Sequence, residues 1–142
     1  MSRNSVCDEK QYPYLAQNFS KKPPQECYSS AKTYKTFHYV SLDNDIQQMK
    51  KCLKDGYPIS FGCQLFSSFM SASVAKSGIV PEPNPKDKPI GGHAMTIVGY
   101  EDSKKAFIVC NSWSAKWGLN GFCYVPYNYM INDKYVGDLW SP

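Results

Sequence analysis

The chain has 142 residues, 42% of them hydrophobic and 20% charged, and a formal net charge of +4 at pH 7. This length and composition fit one globular domain, residues 1–142, and no run of about eighteen apolar residues suggests a membrane span. The lysines are scattered among acidic residues, which argues against nucleic-acid binding.

The cysteines set the expectations for metals and compartment. No two of them have the C-x-x-C spacing of a zinc site, so we expect no metal and no cofactor. Residues 1–10 contain no apolar segment like that of a secretory signal, which favours a cytoplasmic location and free thiols. The even number leaves disulfides open. The six are Cys7, Cys27, Cys52, Cys63, Cys110 and Cys123.

The first half of the chain predicts a loop, a strand and a helix. Prolines through residue 24 indicate extended chain, and Thr36–Leu42 is a short β-rich run. Asp43 can cap a helix that ends at Gly56. Ile46, Met49 and Leu53 would line its buried face.

The middle of the chain predicts a strand over Tyr57–Cys63 and then a short helix that ends near Gly78. Three apolar residues lie on that helix: Phe66, Phe69 and Met70. Four prolines make Pro81–Pro89 a loop.

The second half predicts mainly antiparallel sheet. Two apolar strands, His93–Tyr100 and Ala106–Ser112, flank the polar turn Glu101–Lys105 as a hairpin, and a further strand covers Gly121–Val125. With the helices placed ahead of this sheet, the fold class is α+β.

The hairpin brings a histidine close to an asparagine. A turn that places Tyr100 opposite Ala106 puts Met95 opposite Asn111, with His93 diagonal to Asn111 on the same face. An amide oxygen bound to one ring nitrogen would leave the other nitrogen free as a base. A structural histidine and a loop-satisfying asparagine are the alternative.

The sequence around these two residues resembles the papain family of cysteine peptidases. GGHAMTIVGY at 91–100 and NSWSAKWGLNGF at 111–122 are similar to that family's histidine and asparagine motifs. The resemblance covers nearly the whole chain, and it is greatest to the branch found in bacteria and large DNA viruses. Further similar segments are YPY at 12–14, QEC at 25–27, the strand from GYPI to FG at 56–62, SGIVP at 77–81, VPYNYM at 125–130 and the tail at 138–140.

The resemblance implies a papain-like fold, here its mainly antiparallel β domain with flanking helices, and it implies residue roles. His93 would be the general base, Asn111 would orient its ring, and Trp113 would shield their hydrogen bond from water. Trp117 is expected to be core packing. Gly62, Gly91, Gly92 and Ala94 would contact substrate, while Gly118 and Gly121 would form turns.

Two features depart from the family pattern. Ser114 stands where a glycine usually follows Asn-Ser-Trp, which alters the loop if a positive φ is needed. The nucleophile segment of C-G-[SA]-C-[WY] type and the oxyanion-hole glutamine are not found. Cys7 is not expected to replace the missing nucleophile, because the acidic residues Asp8 and Glu9 follow it and would not stabilise a thiolate. Cys63 is predicted to be a buried structural thiol.

The resemblance therefore implies the C-terminal half of a cysteine-type peptidase that hydrolyses peptide bonds when a companion chain supplies the nucleophilic cysteine. Peptides or proteins would be its substrates, and an uncovered apolar face would favour self-association. The alternatives are a catalytically inactive fragment that binds peptides or proteins, and a truncation product without function.

Overall fold

The computed structural model describes residues 6–33 and 38–142. Contacts divide the chain into two compact units, an N-terminal unit that ends at Tyr39 and includes Pro142, and a larger unit, Val40–Ser141. Within the described ranges, no helix is long and apolar enough to cross a membrane.

The N-terminal unit contains a helix that the sequence pattern did not predict, α1 (Gln25–Ala31), after a single 3-10 turn at Ala16–Asn18. Pro24 precedes α1 with φ −59° and ψ 155°. Proline is well tolerated at a helix start because the first N–H groups have no partner within the helix. The proline-rich segment that indicated a loop therefore ends at Pro24, and helix α1 begins at the next residue.

The larger unit is built on one sheet. In chain order its elements are β1 (Val40–Ser41), α2 (Ile46–Lys54), β2 (Ile59–Phe66), α3 (Ala72–Ser77), β3 (Pro89–Glu101), β4 (Ala106–Cys110), β5 (Phe122–Pro126), α4 (Tyr127–Met130) and β6 (Val136–Ser141). The strands are all paired antiparallel in the order β1-β6-β2-β3-β4-β5, which confirms the α+β class.

One face of the sheet carries the core of this unit. Alternate residues of β2, among them Ile59, Phe61 and Cys63, are buried, as are Ile97 on β3 and Met49 on α2. This alternation follows from the period of two in a strand, with every second side chain on the covered face.

Helix α2 is capped by a different aspartate from the one predicted. The side chain of Asp45, not Asp43, accepts a hydrogen bond from the Gln48 backbone N–H at 2.7 Å. The Gln48 side chain in turn accepts from the Asp43 N–H at 2.6 Å, so both aspartates belong to the helix start. Gly56 follows the helix with φ +91°, which confirms the predicted stop.

The helix predicted through Phe66 is wrong at its beginning. Phe66 is the last residue of β2, Phe69 lies in a 3-10 turn, and only Ala72–Ser77 is α-helical. The end is right, because Gly78 closes α3 with φ +66°. Buried apolar residues continue along β2 to Phe66, so the strand extends three residues beyond its predicted end at Cys63.

Two other predicted boundaries differ from the structure, and one strand was not predicted. The strand predicted over Thr36–Leu42 is observed only as β1, with Thr36 and Phe37 outside the described residues. The loop predicted through Pro89 ends one residue earlier, because Pro89 begins β3. Strand β6 was not predicted, and it inserts between β1 and β2 through pairings far apart in sequence.

Candidate active site

A β-bulge sets which side chains meet at the end of the β3–β4 hairpin. Near the turn the predicted register is wrong by one residue, since Ala106 lies opposite Glu101 instead of Tyr100. The register then shifts between Ile97 and Gly99, where β3 has one extra residue. Without that extra residue, every side chain beyond it would point to the other face.

Beyond the bulge the strands run in the predicted register. Thr96 lies opposite Cys110, and one further step places Met95 opposite Asn111, with His93 diagonal to it. His93 Nε2 and Asn111 Oδ1 are 2.8 Å apart. The predicted contact between the imidazole and the carboxamide is thus confirmed.

The hydrogen-bond partners of Asn111 determine which atom of His93 donates. The backbone N–H of Ser112 donates to Asn111 Oδ1 at 2.8 Å, and a backbone N–H can only donate. The carboxamide oxygen therefore faces His93, so Nε2 of the ring must carry the proton of that 2.8 Å contact. Nδ1 is left as the nitrogen that can exchange a proton.

Asn111 is held in a nearly closed environment. It is 8% exposed, and its backbone N–H donates to Gly121 O at 2.9 Å. Its Nδ2 atom is buried and has no hydrogen-bond partner among the residues that the structure describes. A buried donor without a partner is costly, which marks this atom as a position where a further acceptor would be stabilising.

An aromatic cluster supports the imidazole. The Trp113 ring lies 5.0 Å from that of His93, tilted by 32°. Trp113 in turn contacts Phe69 edge-on at 5.7 Å and Trp117 at 5.4 Å, and Phe69 stacks on Trp117 at 5.6 Å. Trp117 packs against the core, as expected. Phe69 was not predicted to belong to this site, because in the sequence it is only one of several apolar residues that precede Gly78.

The loop after Asn111 contains Ser114 in a glycine-like conformation. Ser114 has φ +74°, so the loop keeps the left-handed backbone although the glycine of the family motif is absent. Gly118 and Gly121 also have positive φ, of 60° and 91°, which confirms them as turn formers. A Cβ on Gly118 would lie 2.5 Å from Phe122 O, so the close approach there requires glycine.

The small residues predicted to contact substrate lie on β2 and β3 beside His93. Gly62 lies directly opposite Ala94. Both are next to the Cys63–His93 pair along their strands, so they project from the opposite face of the sheet to His93. A Cβ on Gly91 would meet nothing within 4 Å, and one on Gly92 would meet only a carbonyl oxygen at 3.9 Å. The backbone at these glycines is therefore open to close approach by another chain.

Residues 1–136 match the family described as papain family cysteine protease. The chain is 40% identical, over 99% of its length and 48% of the relative's, to an uncharacterised peptidase C1-like protein of Acanthamoeba polyphaga mimivirus. It is 31% identical to procathepsin L of Rattus norvegicus, over 80% of this chain and 34% of that protein.

Solved structures give the same fold. Xylellain, a cysteine protease from Xylella fastidiosa, superposes with a TM-score of 0.86 and 32% identity, over 98% of this chain and 56% of that one. The bromelain protease from Ananas comosus follows with a TM-score of 0.58 and 25% identity, over 87% and 54%. The bacterial and viral relatives confirm the predicted branch. The chain spans at most about half the length of these curated relatives.

Proposed function

This chain belongs to the papain family of cysteine proteases, and on that basis we propose that it supplies the histidine–asparagine half of a site that hydrolyses peptide bonds. The observation that carries the proposal is the 2.8 Å contact between His93 Nε2 and Asn111 Oδ1. It leaves Nδ1 of a fixed ring as the only proton-exchanging atom of the imidazole.

In this proposal His93 acts as the base. Its Nδ1 takes the proton of a cysteine thiol, and the thiolate attacks the carbonyl carbon of the peptide bond. The imidazolium then returns the proton to the leaving amine. General acid–base catalysis of this kind contributes about 10²- to 10⁴-fold to the rate.

Asn111 and Trp113 are the proposed supports of that base. Asn111 Oδ1 holds the ring in one orientation and stabilises the Nε2 proton. The Trp113 ring, 5.0 Å from the imidazole, keeps water from competing for this hydrogen bond. The remaining donor of Asn111, Nδ2, is available to a carbonyl of the partner that brings the thiol.

Peptide or protein substrates are proposed to run along the open glycines. Gly91 and Gly92 leave space above the backbone of β3, so an extended chain can approach its N–H and C=O groups. Gly62 and Ala94 face each other across β2 and β3, and they would contact the side chain of the residue before the scissile bond.

We propose that the nucleophilic thiol comes from a companion segment. Cys63, the cross-strand neighbour of His93, is 6% exposed, and burial raises its pKa to about 12. A thiol that is hard to ionise and closed to solvent is a poor nucleophile. Self-association through the same surface would compete with the companion.

A fusion protein tests the proposal. The part of the mimivirus relative that this chain does not match is fused ahead of residue 1, and turnover of a fluorogenic peptide is measured. We expect turnover that a thiol-alkylating epoxide blocks and that His93→Ala lowers by about 10²- to 10⁴-fold. His38→Ala, at the exposed second histidine, is the matched control and should leave turnover intact.

The remaining outcomes separate the alternatives. Turnover that survives His93→Ala contradicts the proposed role of His93. A folded fusion that binds the peptide without cleaving it indicates the inactive binding fragment instead.

A further inference from the structure

Asp138 lies in a β-bulge of strand β6. Between two successive pairings with β2, the partner on β2 changes from Ser60 to Gly62, whereas the residue on β6 changes from Trp140 to Gly137. Strand β6 therefore has one extra residue at this point, and Asp138 has φ +52°. Aspartate tolerates this left-handed backbone better than most residues do. The bulge thus determines where the carboxylate of Asp138 points.

The carboxylate lies on the face of the sheet that carries Ala94. A Cβ on Gly62 would lie 4.0 Å from Asp138 Oδ2, and it would project from the same face as Ala94, its directly opposite neighbour. On the other side Gly62 is paired with Gly137, where a Cβ would meet nothing within 4 Å. Three small residues, one on each of β6, β2 and β3, therefore leave open space beside one carboxylate.

The Asp138 carboxylate has no ion pair or hydrogen bond among the residues that the structure describes. The residue is exposed, so its negative charge is available to a cation from outside the chain. An ionised carboxylate is an acceptor only, and its strongest partners are the ammonium of lysine and the guanidinium of arginine.

This open space begins next to the proposed base. Strand β4 ends at Cys110, whose partner on β3 is Thr96, so among the described strands residues 91–95 are paired with β2 alone. A strand edge of this kind can accept an extended peptide. Because side chains alternate along a strand, a peptide at this edge passes His93 on one face and Ala94 on the other.

We propose that Asp138 selects substrates with a lysine or arginine side chain at the position beside Gly62 and Ala94. This inference rests on the proposed peptidase function and adds a specificity-determining residue to it. The aliphatic part of the basic side chain fills the space that Gly62 leaves open, and its charged end reaches the carboxylate. A glutamate at the same position would be repelled.

Peptide binding to the full chain tests this inference without the need for turnover. The isotope-labelled chain is titrated by NMR with acetylated and amidated Ala-Ala-X-Ala-Ala, where X is lysine, norleucine or glutamate. Norleucine has an aliphatic chain like that of lysine but no ammonium, so a difference between the two peptides is due to charge. We expect the lysine peptide to bind about two- to fivefold more tightly than the norleucine peptide, as for an exposed ion pair, and the glutamate peptide to bind most weakly.

Asp138→Asn removes the charge and keeps a residue type that tolerates the left-handed backbone. This variant should lose the preference for lysine, whereas Asp133→Asn, at another exposed aspartate, should keep it. If Asp138→Asn does not fold, salt decides with the wild-type chain, because about 1 M sodium chloride should remove the preference by screening the charges.

Three results overturn the inference. They are equal binding of the lysine and norleucine peptides to the wild-type chain, a preference for lysine that survives in Asp138→Asn or in about 1 M salt, and peptide binding that leaves the backbone signals of Gly62 and Ala94 unshifted.

The fused protein separates this inference from the proposed function. Fluorogenic forms of the three peptides are given to the fusion, and turnover is compared with binding. Binding that favours lysine without any cleavage contradicts only the proposed hydrolysis. Cleavage that does not favour lysine contradicts only the role of Asp138.

Discussion

Cys63 and His93 lie directly opposite each other on strands β2 and β3, on the covered face of the sheet. A cysteine beside a histidine suggests a catalytic pair, but the environment of this thiol opposes that role. Burial leaves Cys63 6% exposed and raises its pKa to about 12. Reactive cysteines have lowered pKa values and an accessible sulfur, so this juxtaposition is a matter of packing.

We therefore expect Cys63→Ala to leave turnover of the fused protein unchanged. Its free energy of unfolding should fall by about 1 kcal/mol, because a buried sulfur is removed from the core. Peptidase assays and thermal melts of the variant measure the two effects. Loss of thiol-sensitive turnover in Cys63→Ala, with His93 intact, would identify this cysteine as the nucleophile.

The contact of His93 with Asn111 predicts the tautomer of the ring. Asn111 Oδ1 accepts the Nε2 proton at 2.8 Å, so the neutral imidazole should carry its proton on Nε2. Nitrogen NMR of the labelled chain, above the pH at which the ring becomes neutral, distinguishes the two nitrogens. In Asn111→Ala we expect a mixture of tautomers, whereas an unchanged spectrum would show that Asn111 does not select the tautomer.

Ser114 predicts a stabilising substitution. A non-glycine residue at φ +74° costs about 1–2 kcal/mol, and glycine costs about 0.5–1 kcal/mol in unfolded-chain entropy. Ser114→Gly should therefore raise the free energy of unfolding by up to about 1 kcal/mol and the Tm by roughly 2–4 °C.

The matched control for this substitution is Ser112→Gly. Ser112 is also exposed, and it is not among the residues with positive φ, so only the entropic cost applies and the Tm should fall. Equal shifts in the two variants would mean that no strain is stored at Ser114.

An ion pair predicts a loss of stability at low pH. The hydrogen bond from Lys50 lowers the pKa of Asp102 below its ordinary value. A carboxyl group with a lowered pKa stabilises the folded state above its ordinary pKa, and this contribution disappears as the pH falls through the lowered value. The same bond raises the pKa of Lys50, so at the alkaline end the contribution is lost as the pH rises through that raised value.

Thermal melts between pH 7 and pH 2 check this dependence. Asp102→Asn should have a lower Tm than wild type at pH 7, and the two should converge at the acidic end. Asp133→Asn, at an exposed aspartate outside this ion pair, removes the same charge as a control. A difference between Asp102→Asn and wild type that is constant across the range would contradict the assignment.

Prediction from sequence succeeded where the pattern is local. The β3–β4 hairpin, the stops at Gly56 and Gly78, and helix α2 each follow from a few adjacent residues. Strand β6 was not predicted, because Gly137 and Asp138 interrupt its apolar pattern. Its pairing with β1 and β2 also joins segments that are distant along the chain. Such strands are stabilised by their neighbours in the sheet, which no local window contains.

The sequence by itself determined the family and the pairing of His93 with Asn111, because motif spacing and strand alternation place the two on one face. The tertiary structure alone decided what each side chain can do there. The bulge between Ile97 and Gly99 restored the register that the turn had shifted, and burial disfavours the thiolate form of Cys63. The alternation of residues along a strand predicts which face of the sheet each side chain occupies. The register between strands and the desolvation of a side chain depend on strands that only folding brings together.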